Sequence, residues 1–306
     1  MTNVTQTNTI EDNQLHLDPE DALQVLQQKK QQQLKIIQSK FDVLADRVIN
    51  FATSKDGIFK GLLVVGPAGI GKSITIEQAL KQANKITGKT TFEGPIKGKV
   101  SEVGFYTALF KNRQKNRIVW FDDISGILDS EGALEILKAA TSRQHEPRTI
   151  QWLKAQSTYF RDNDIPNKFD YEGHLIISTN RDVNPASQTK KYRDHFSALT
   201  SRMPPTDLFL NKDEAYIWTQ YLINEGEMLG KKCVSKKGGY TKKVIEDTLW
   251  YLKKYRKQLH ELTPRIADAI AGARHEWGPE KGFSKNKWIV VADQTTGRYN
   301  EEGNDQ

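Results

Sequence analysis

The sequence predicts an α/β protein in which helices sandwich a parallel sheet, followed by a small, wholly helical unit. Three observations carry that prediction. The apolar run 61–65 opens into a glycine-rich turn and then a helical pattern. Two later apolar runs, 118–121 and 175–178, again alternate with helical patterns. After residues 208–210 the pattern becomes mostly helical. Strands alternating with helices imply parallel pairing with helices on both faces. With 306 residues, 37% apolar content and a mean hydropathy of −0.65, the chain can bury one full-sized core and a smaller second one.

Taken in order, residues 1–20 are polar and acidic and read as a disordered tail, with neither the basic start nor the apolar centre of a signal peptide. A long helix is expected from about Pro19, occupying 21–55. There Leu34, Ile37, Phe41, Leu44, Val48 and Phe51 recur at alternating spacings of three and four, which makes one apolar stripe. The polar run 27–33 interrupts the stripe, so only the second half is expected to pack on the body, as a packing helix rather than a coiled coil. The core is expected over 56–211. It comprises the strand 61–65, a helix at 73–83, a second strand ahead of the loop 94–99, a helix at 101–111, the strand 118–121, a helix at 132–140 and the strand 175–178. Between Asp123 and Asn180 there is more chain than one helix needs, and strand patterns at 148–153 and 168–171 predict an inserted β-hairpin. A helical lid is expected over 212–278, with helices at 213–224, 242–259 and 264–276. Residues 279–306 read as a polar C-terminal tail around the apolar run 288–292.

The most specific chemical signal is Gly66, Pro67, Ala68, Gly69, Ile70, Gly71, Lys72 and Ser73, which fill the pattern G-x-x-x-x-G-K-[ST] between a predicted strand and a predicted helix. Glycines there let successive backbone N–H groups converge on phosphate oxygens at a helix N-terminus, where the dipole also favours an anion. Lys72 would reach the β and γ phosphates of ATP, and Ser73 would ligate Mg²⁺. About fifty residues downstream the apolar strand 118–121 ends in Asp122 and Asp123. In nucleotide-hydrolysing proteins with this loop, an aspartate at that position holds the Mg²⁺ shell and the next acid orients the attacking water. The alternative is that these acids cap the following helix. The strand 174–178 ends in Thr179 and Asn180, and that amide is placed to touch the γ phosphate or the water; a turn asparagine is the alternative.

Together these segments resemble the AAA+ P-loop ATPases over roughly residues 45–277. The resemblance implies that Asn180 stands at the family's sensor 1 position. Arg202 would be the arginine finger acting in trans on a neighbour's ATP, with Arg193 as a rival. Arg265, in Thr263–Pro264–Arg265, resembles the sensor 2 segment of the RuvB and MoxR types and would contact the γ phosphate in its own subunit. The hairpin ahead of Asn180 is similar to that of the branch holding MoxR-like remodelling ATPases and superfamily 3 viral helicases. Asp123 departs from the family's usual glutamate, which implies slower hydrolysis. A homo-oligomeric ring follows from the resemblance, as does a central pore. The pore would be lined by Lys97 and Lys99 in the loop 94–99 and by Arg148, Trp152 and Lys154 in the hairpin. Basic residues interleaved with an aromatic suit single-stranded nucleic acid; a solvated basic face is the alternative.

The expected protein is therefore an ATP- and Mg²⁺-dependent ATPase that moves or remodels a polymer, with DNA as the favoured partner. The net charge of +7 and pI near 9.2 agree with a polyanionic partner. Its size and basic balance look like a phage or viral accessory ATPase in the host cytoplasm. The competing readings are a MoxR-like protein remodeller acting on a protein partner, and a P-loop small-molecule kinase. No membrane segment is expected, because no apolar run approaches 18 residues. Cys233 is the sole cysteine, which excludes an intrachain disulfide and a cysteine-built zinc site. Neither G-x-S-x-G nor H-E-x-x-H occurs, so a serine-hydrolase elbow and a zincin helix have no basis.

Overall fold

The computed structural model describes residues 19–54, 57–89, 91–92, 94–143, 147–154 and 158–298. The tail expected over 1–20 falls outside the described residues up to 18, and so do residues 299–306 of the C-terminal tail. The chain runs α1 (Pro19–Thr53), β1 (Gly61–Val65), α2 (Lys72–Thr87), β2 (Pro95–Ile96), α3 (Glu102–Lys111), β3 (Ile118–Asp122), α4 (Ser125–Asp129) and α5 (Glu131–Ala140). It continues through β4 (Arg148–Gln151), α6 (Thr158–Asp162), β5 (Lys168–Tyr171), β6 (His174–Thr179), α7 (Lys190–Arg202) and β7 (Pro205–Asp207). The C-terminal helical unit, expected from the sequence as a lid, follows as α8 (Lys212–Asn224), α9 (Lys242–Tyr255), α10 (Pro264–Trp277) and α11 (Lys287–Thr296).

Five strands form one parallel sheet in the order β2-β3-β6-β1-β7. Every position of β1 and β3 is buried, as expected where helices cover both faces of a parallel sheet. Side chains alternate between those faces. Leu63, Val65, Val119, Phe121, Leu175 and Ile177 pack with α3, α5 and the hairpin. Leu62, Val64, Ile118, Trp120 and Ile176 pack with α1, α2 and α8. In α1 the stripe Ile37, Phe41, Leu44 and Val48 is at most 5% exposed, whereas Leu23 and Leu26 stand in solvent. Only the second half of α1 is held by the body.

The structure alters several sequence expectations. The second strand is not ahead of the loop 94–99 but inside it, as Pro95–Ile96, where proline is tolerated because β2 is an edge strand bonded only to β3. Ser101 caps rather than joins α3, its Oγ accepting from Gly104 N at 3.1 Å. The hairpin exists as β4 and β5, antiparallel from Arg148↔Tyr171 to Gln151↔Lys168, with α6 in its connection. It lies against the body: Tyr106 of α3 meets the rings of Trp152, Phe160 and Phe169 at centroid distances of 5.6, 5.1 and 5.0 Å.

Residues 279–298, expected as a polar tail, instead pack through α11 against α9 and α10. Trp288 and Ala292 recur on one helical face and are buried with Tyr251, Leu252 and Ile270. Polar ties reinforce the packing. Arg274 donates to Asp247 at 2.7 Å and to Glu280 at 2.6 and 2.9 Å, and Arg298 donates to Asp293 at 2.7 Å. Among the described residues no helix is long and apolar enough to cross a membrane.

Candidate functional site

The C-terminal ends of β1, β3 and β6 meet at one edge of the sheet, where a doubly wound fold places ligands. The loop 66–71 leaves β1 there. Gly69 and Gly71 have φ of +74° and +111°, a backbone that side-chain-bearing residues rarely adopt. Gly71 begins α2 without a side-chain cap, so the first N–H groups of the helix point into the loop's cradle. Gly66 passes within 3.2 Å of Leu208, counted from where a Cβ would sit. From outside, Trp218 of α8 donates its indole N–H to Ile70 O at 3.0 Å and stacks on Phe41 of α1 at 4.3 Å.

Lys72 is 7% exposed, and its Nζ donates to Gly66 O at 2.7 Å, Pro67 O at 2.8 Å and Asn180 Oδ1 at 2.6 Å. Burial lowers its pKa from the usual lysine range to about 8; Asp123 and Asp122 push back toward the charged form, and Arg265 adds to the lowering. A buried cation held by three oxygens at the mouth of a glycine cradle fits a polyphosphate, which would supply the charge partner that carbonyls cannot.

Asp122, 4% exposed, ends β3 directly opposite Ser178. Its Oδ1 accepts from Ser73 Oγ at 2.8 Å and from Ser178 Oγ at 2.6 Å, and Ser178 in turn accepts from the Trp120 indole at 3.1 Å. Its Oδ2 pairs with Lys97 Nζ at 3.1 Å. Among the described residues no group of three or more His, Cys, Asp or Glu is close enough to hold a metal. The paired oxygens of Ser73 and Asp122 would fit an ion that takes the rest of its shell from phosphate oxygens and water, as Mg²⁺ ordinarily does.

Asp123 is exposed, has φ of +58° and donates its backbone N–H to Ser178 O at 2.9 Å. Its Oδ1 accepts from Asn180 Nδ2 at 2.8 Å. Asn180 thus bridges Lys72 and Asp123, an arrangement that fixes the amide orientation from both ends. Arg265 reaches the loop from the lid: a Cβ added at Gly69 would lie 2.9 Å from Arg265 Cβ. Thr263 caps α10, its Oγ1 accepting from Ile266 N at 3.4 Å, and so fixes where that helix begins.

Among the described residues, only Lys97 of the remaining sequence candidates joins this cluster, through its pair with Asp122. Arg202 ends α7 and donates to Ala198 O of its own helix at 2.9 Å, and Arg193 stands exposed on the same helix. Lys99 is exposed. Lys97 reaches Asp122 from the end of β2 while its side chain stays largely in solvent. Arg148 and Trp152 are corrected: they are 2% and 8% exposed and cannot form a nucleic-acid surface. Arg148 points inward to donate to Ala140 O and Gly173 O, both at 2.6 Å, and lies over the Tyr171 ring, while Trp152 fills the aromatic cluster around Tyr106. Alternation along β4 is the reason, since Arg148 and Ile150 share the inner face. Lys154 alone of the hairpin trio stays in solvent, paired with Glu102 and lying over Trp152. Sequence reasoning missed Ser178 as a partner of Asp122, Trp120 as the donor that holds Ser178, and Lys97 as the cation paired with Asp122. The first two carry a readable signal, because Trp120 lies two residues before Asp122 on the same face and Ser178 two before Asn180.

No family model matches the chain. Among solved structures, it superposes on domain III of the replication initiation protein DnaA of Thermotoga maritima with a TM-score of 0.43, at 10% identity over 83% of this chain and 91% of that chain. The ORC2 protein of Aeropyrum pernix gives 0.43 at 15% identity, over 84% and 68%. NtrX from Brucella abortus in complex with ATP gives 0.40 at 10% identity, over 83% and 67%. A relative in sequence is the "uncharacterized 36.7 kDa protein in nrdC-mobD intergenic region" of Enterobacteria phage T4, 30% identical over 228 residues, which are 72% of this chain and 67% of that protein. The chain belongs to the family of that phage T4 protein.

Proposed function

We propose that the protein binds Mg·ATP in the cradle 66–73 and hydrolyses it. The observation that carries this reading is the bridge Lys72–Asn180–Asp123 beside the Ser73–Asp122 pair. It supports four roles in one place. Backbone N–H groups and Lys72 bind the β and γ phosphates. Ser73 and Asp122 hold Mg²⁺, which when bound offsets phosphate charge. Asp123, exposed and fixed by Asn180, accepts a hydrogen bond from the attacking water, and Asn180 orients that water. Arg265 neutralises charge on the γ phosphate from the lid.

The sheet order, the hairpin ahead of Asn180 and the lid arginine support the finer assignment to AAA+-type ATPases, in the branch that carries such a hairpin. On this reading the active form is a homo-oligomeric ring and Arg202 is the finger that completes a neighbour's site. Its hydrogen bond to the helix it ends does not commit it to its own nucleotide. Arg193 is the rival finger. DNA is the favoured polymer on the chain's net charge of +7, and the relative from phage T4 supports a phage origin and action in the host cytoplasm. A MoxR-like protein remodeller is the second reading, because the site is equally suited to it.

The test is ATP turnover by wild type, Asp123→Asn and Arg202→Ala, together with an equimolar mixture of Asp123→Ala and Arg202→Ala. Hydrolysis is expected in wild type alone, with partial recovery in the mixture. Normal turnover by Arg202→Ala in a monomer would overturn the ring and favour a small-molecule kinase. Normal turnover by Asp123→Asn would overturn the assignment of the water-orienting acid.

A further inference from the structure

The burial of Arg148 and Trp152 removes the hairpin as an aromatic and basic surface, but the same combination occurs elsewhere, on the lid. Residues 212–298 contain 17 lysines and arginines against 11 aspartates and glutamates, a formal +6 of the chain's +7. In α9 the inner face is Val244, Thr248, Tyr251 and Leu252. The outer face presents Trp250, Lys253, Lys254 and Lys257 at spacings of three, one and three, the stripe that one side of a helix makes. Arg256, with φ and ψ of −44° and −43°, keeps the helical path through to Lys257. Trp250 is 42% exposed, unusual for an indole, and Lys254 Nζ lies 4.7 Å from its ring. Lys253, Lys254 and Lys257 are exposed, and among the described residues no carboxylate pairs with them.

The stripe runs into a cleft of about 410 Å³ between the end of α9 and the start of α8, lined by Lys212, Asp213, Arg256 and Lys257. Its one acid is already matched: Arg256 pairs with Asp213 at 2.5 Å and lies over the Tyr216 ring at 4.5 Å. Lys212 donates to Lys257 O at 3.1 Å, which ties the two walls together, and among the described residues no carboxylate pairs with the ammonium group of Lys212 or Lys257.

We infer that this face of the lid, Trp250 with Lys253, Lys254 and Lys257 leading to the Lys212 cleft, is a docking surface for single-stranded nucleic acid. Three aligned cations match a phosphate backbone, and a half-exposed indole offers a stacking platform that only an unpaired base can use. The ring is what favours nucleic acid over an acidic protein segment, which would meet the same cations without needing it. The inference deepens the proposed function and rests on its polymer being a nucleic acid. It also moves the contact from the sheet edge to the lid, whose Arg265 lies over the nucleotide cradle.

The test is binding of a fluorescein-labelled oligo-dT to the full chain without nucleotide, over a salt series. The proteins are wild type, the triple variant Lys253→Glu, Lys254→Glu and Lys257→Glu, and Trp250→Ala, with polyglutamate as competitor and ATP binding measured in parallel. Wild type is expected to bind. The triple variant should bind at least tenfold more weakly at low salt and lose about 2 from the log–log salt slope, given three lost phosphate contacts on a single strand. Trp250→Ala should weaken binding with the slope unchanged, polyglutamate should compete poorly, and ATP binding should be unaltered throughout. Binding by wild type that the triple variant retains in full would overturn the lid surface alone. An absence of oligo-dT binding in every protein would overturn both the surface and the nucleic-acid reading. Polyglutamate binding as tight as oligo-dT, with no effect of Trp250→Ala, would overturn the inference in favour of an acidic protein.

Discussion

Replacing Gly69 by alanine tests whether the lid closes directly over the nucleotide cradle. The new Cβ would meet two obstacles. At φ of +74° an L side chain pays roughly 1–2 kcal/mol against its own backbone. In addition it would sit 2.9 Å from Arg265 Cβ and 3.1 Å from Thr263 Oγ1, and neither is the free end of a long side chain. Forcing an extra methyl into such a contact costs roughly 1–3 kcal/mol. Gly88→Ala supplies the control, because Gly88 has φ of +65° at the end of α2 and nothing within 4 Å of the added atom. The backbone term and the unfolded-chain entropy term are common to both variants and cancel in the difference. The remainder, roughly 1–3 kcal/mol, is the lid contact. It appears in the denaturant-derived unfolding free energy if α10 stays in place, and in the dissociation constant for Mg·ATP if α10 shifts to relieve the clash. Both quantities are therefore measured for both variants. If Gly69→Ala matches Gly88→Ala in stability and in ATP affinity, Arg265 does not rest on the cradle and its role over the γ phosphate fails.

Other consequences follow from the same geometry. Lys72, its pKa lowered to about 8, would bind phosphate only when protonated, so ATP affinity is expected to be nearly flat below about pH 7 and roughly tenfold weaker at pH 9 than at pH 7. For the protein without nucleotide the sign reverses: between about pH 8 and the ordinary lysine value the unfolded chain binds more protons, so the contribution of Lys72 to stability rises with pH. Calorimetric titrations at the two pH values check the first statement, and a Lys72→Ala variant with the same pH slope would refute it. Arg148→Met removes two charge-assisted bonds to buried carbonyls and is expected to lower unfolding free energy by about 3–5 kcal/mol while leaving oligo-dT binding intact. Chemical denaturation and fluorescence anisotropy read these two effects separately. Trp218→Phe keeps a ring against Phe41 but loses the bond to Ile70 O, and a loss of about 1–2 kcal/mol in stability is expected by the same denaturation assay.

What could be read from the sequence was what depends on local chemistry. The glycine cradle, Lys72 and the strand-ending carboxylates are fixed by spacing and by the strand before and helix after them. The stripe of α1 is readable because Ile37, Phe41, Leu44 and Val48 repeat at helical period. The less visible features depend on partners distant in the chain. Arg148 and Trp152 look like a basic and aromatic surface until β4 pairs with β5 and turns them toward Tyr106 and Tyr171, because alternation along a short strand has no sign until its partner is known. Lys97 gave no hint of Asp122, which depends on the parallel pairing of a two-residue edge strand. The segment 279–298 reads as a polar tail because its burial rests on few residues, Trp288, Ala292 and the Asp293–Arg298 pair, that only the lid's other helices complete.

The most direct test of the nucleotide site is equilibrium binding of ATP to wild type and to Lys72→Ala, each in Mg²⁺ and in a chelator. The predicted result is saturable binding by wild type that tightens with Mg²⁺, and at least a tenfold loss in Lys72→Ala, the equivalent of about 1.4 kcal/mol or more. Equal affinity of the two proteins, or no binding by either, would contradict the assignment of residues 66–73 as the ATP cradle.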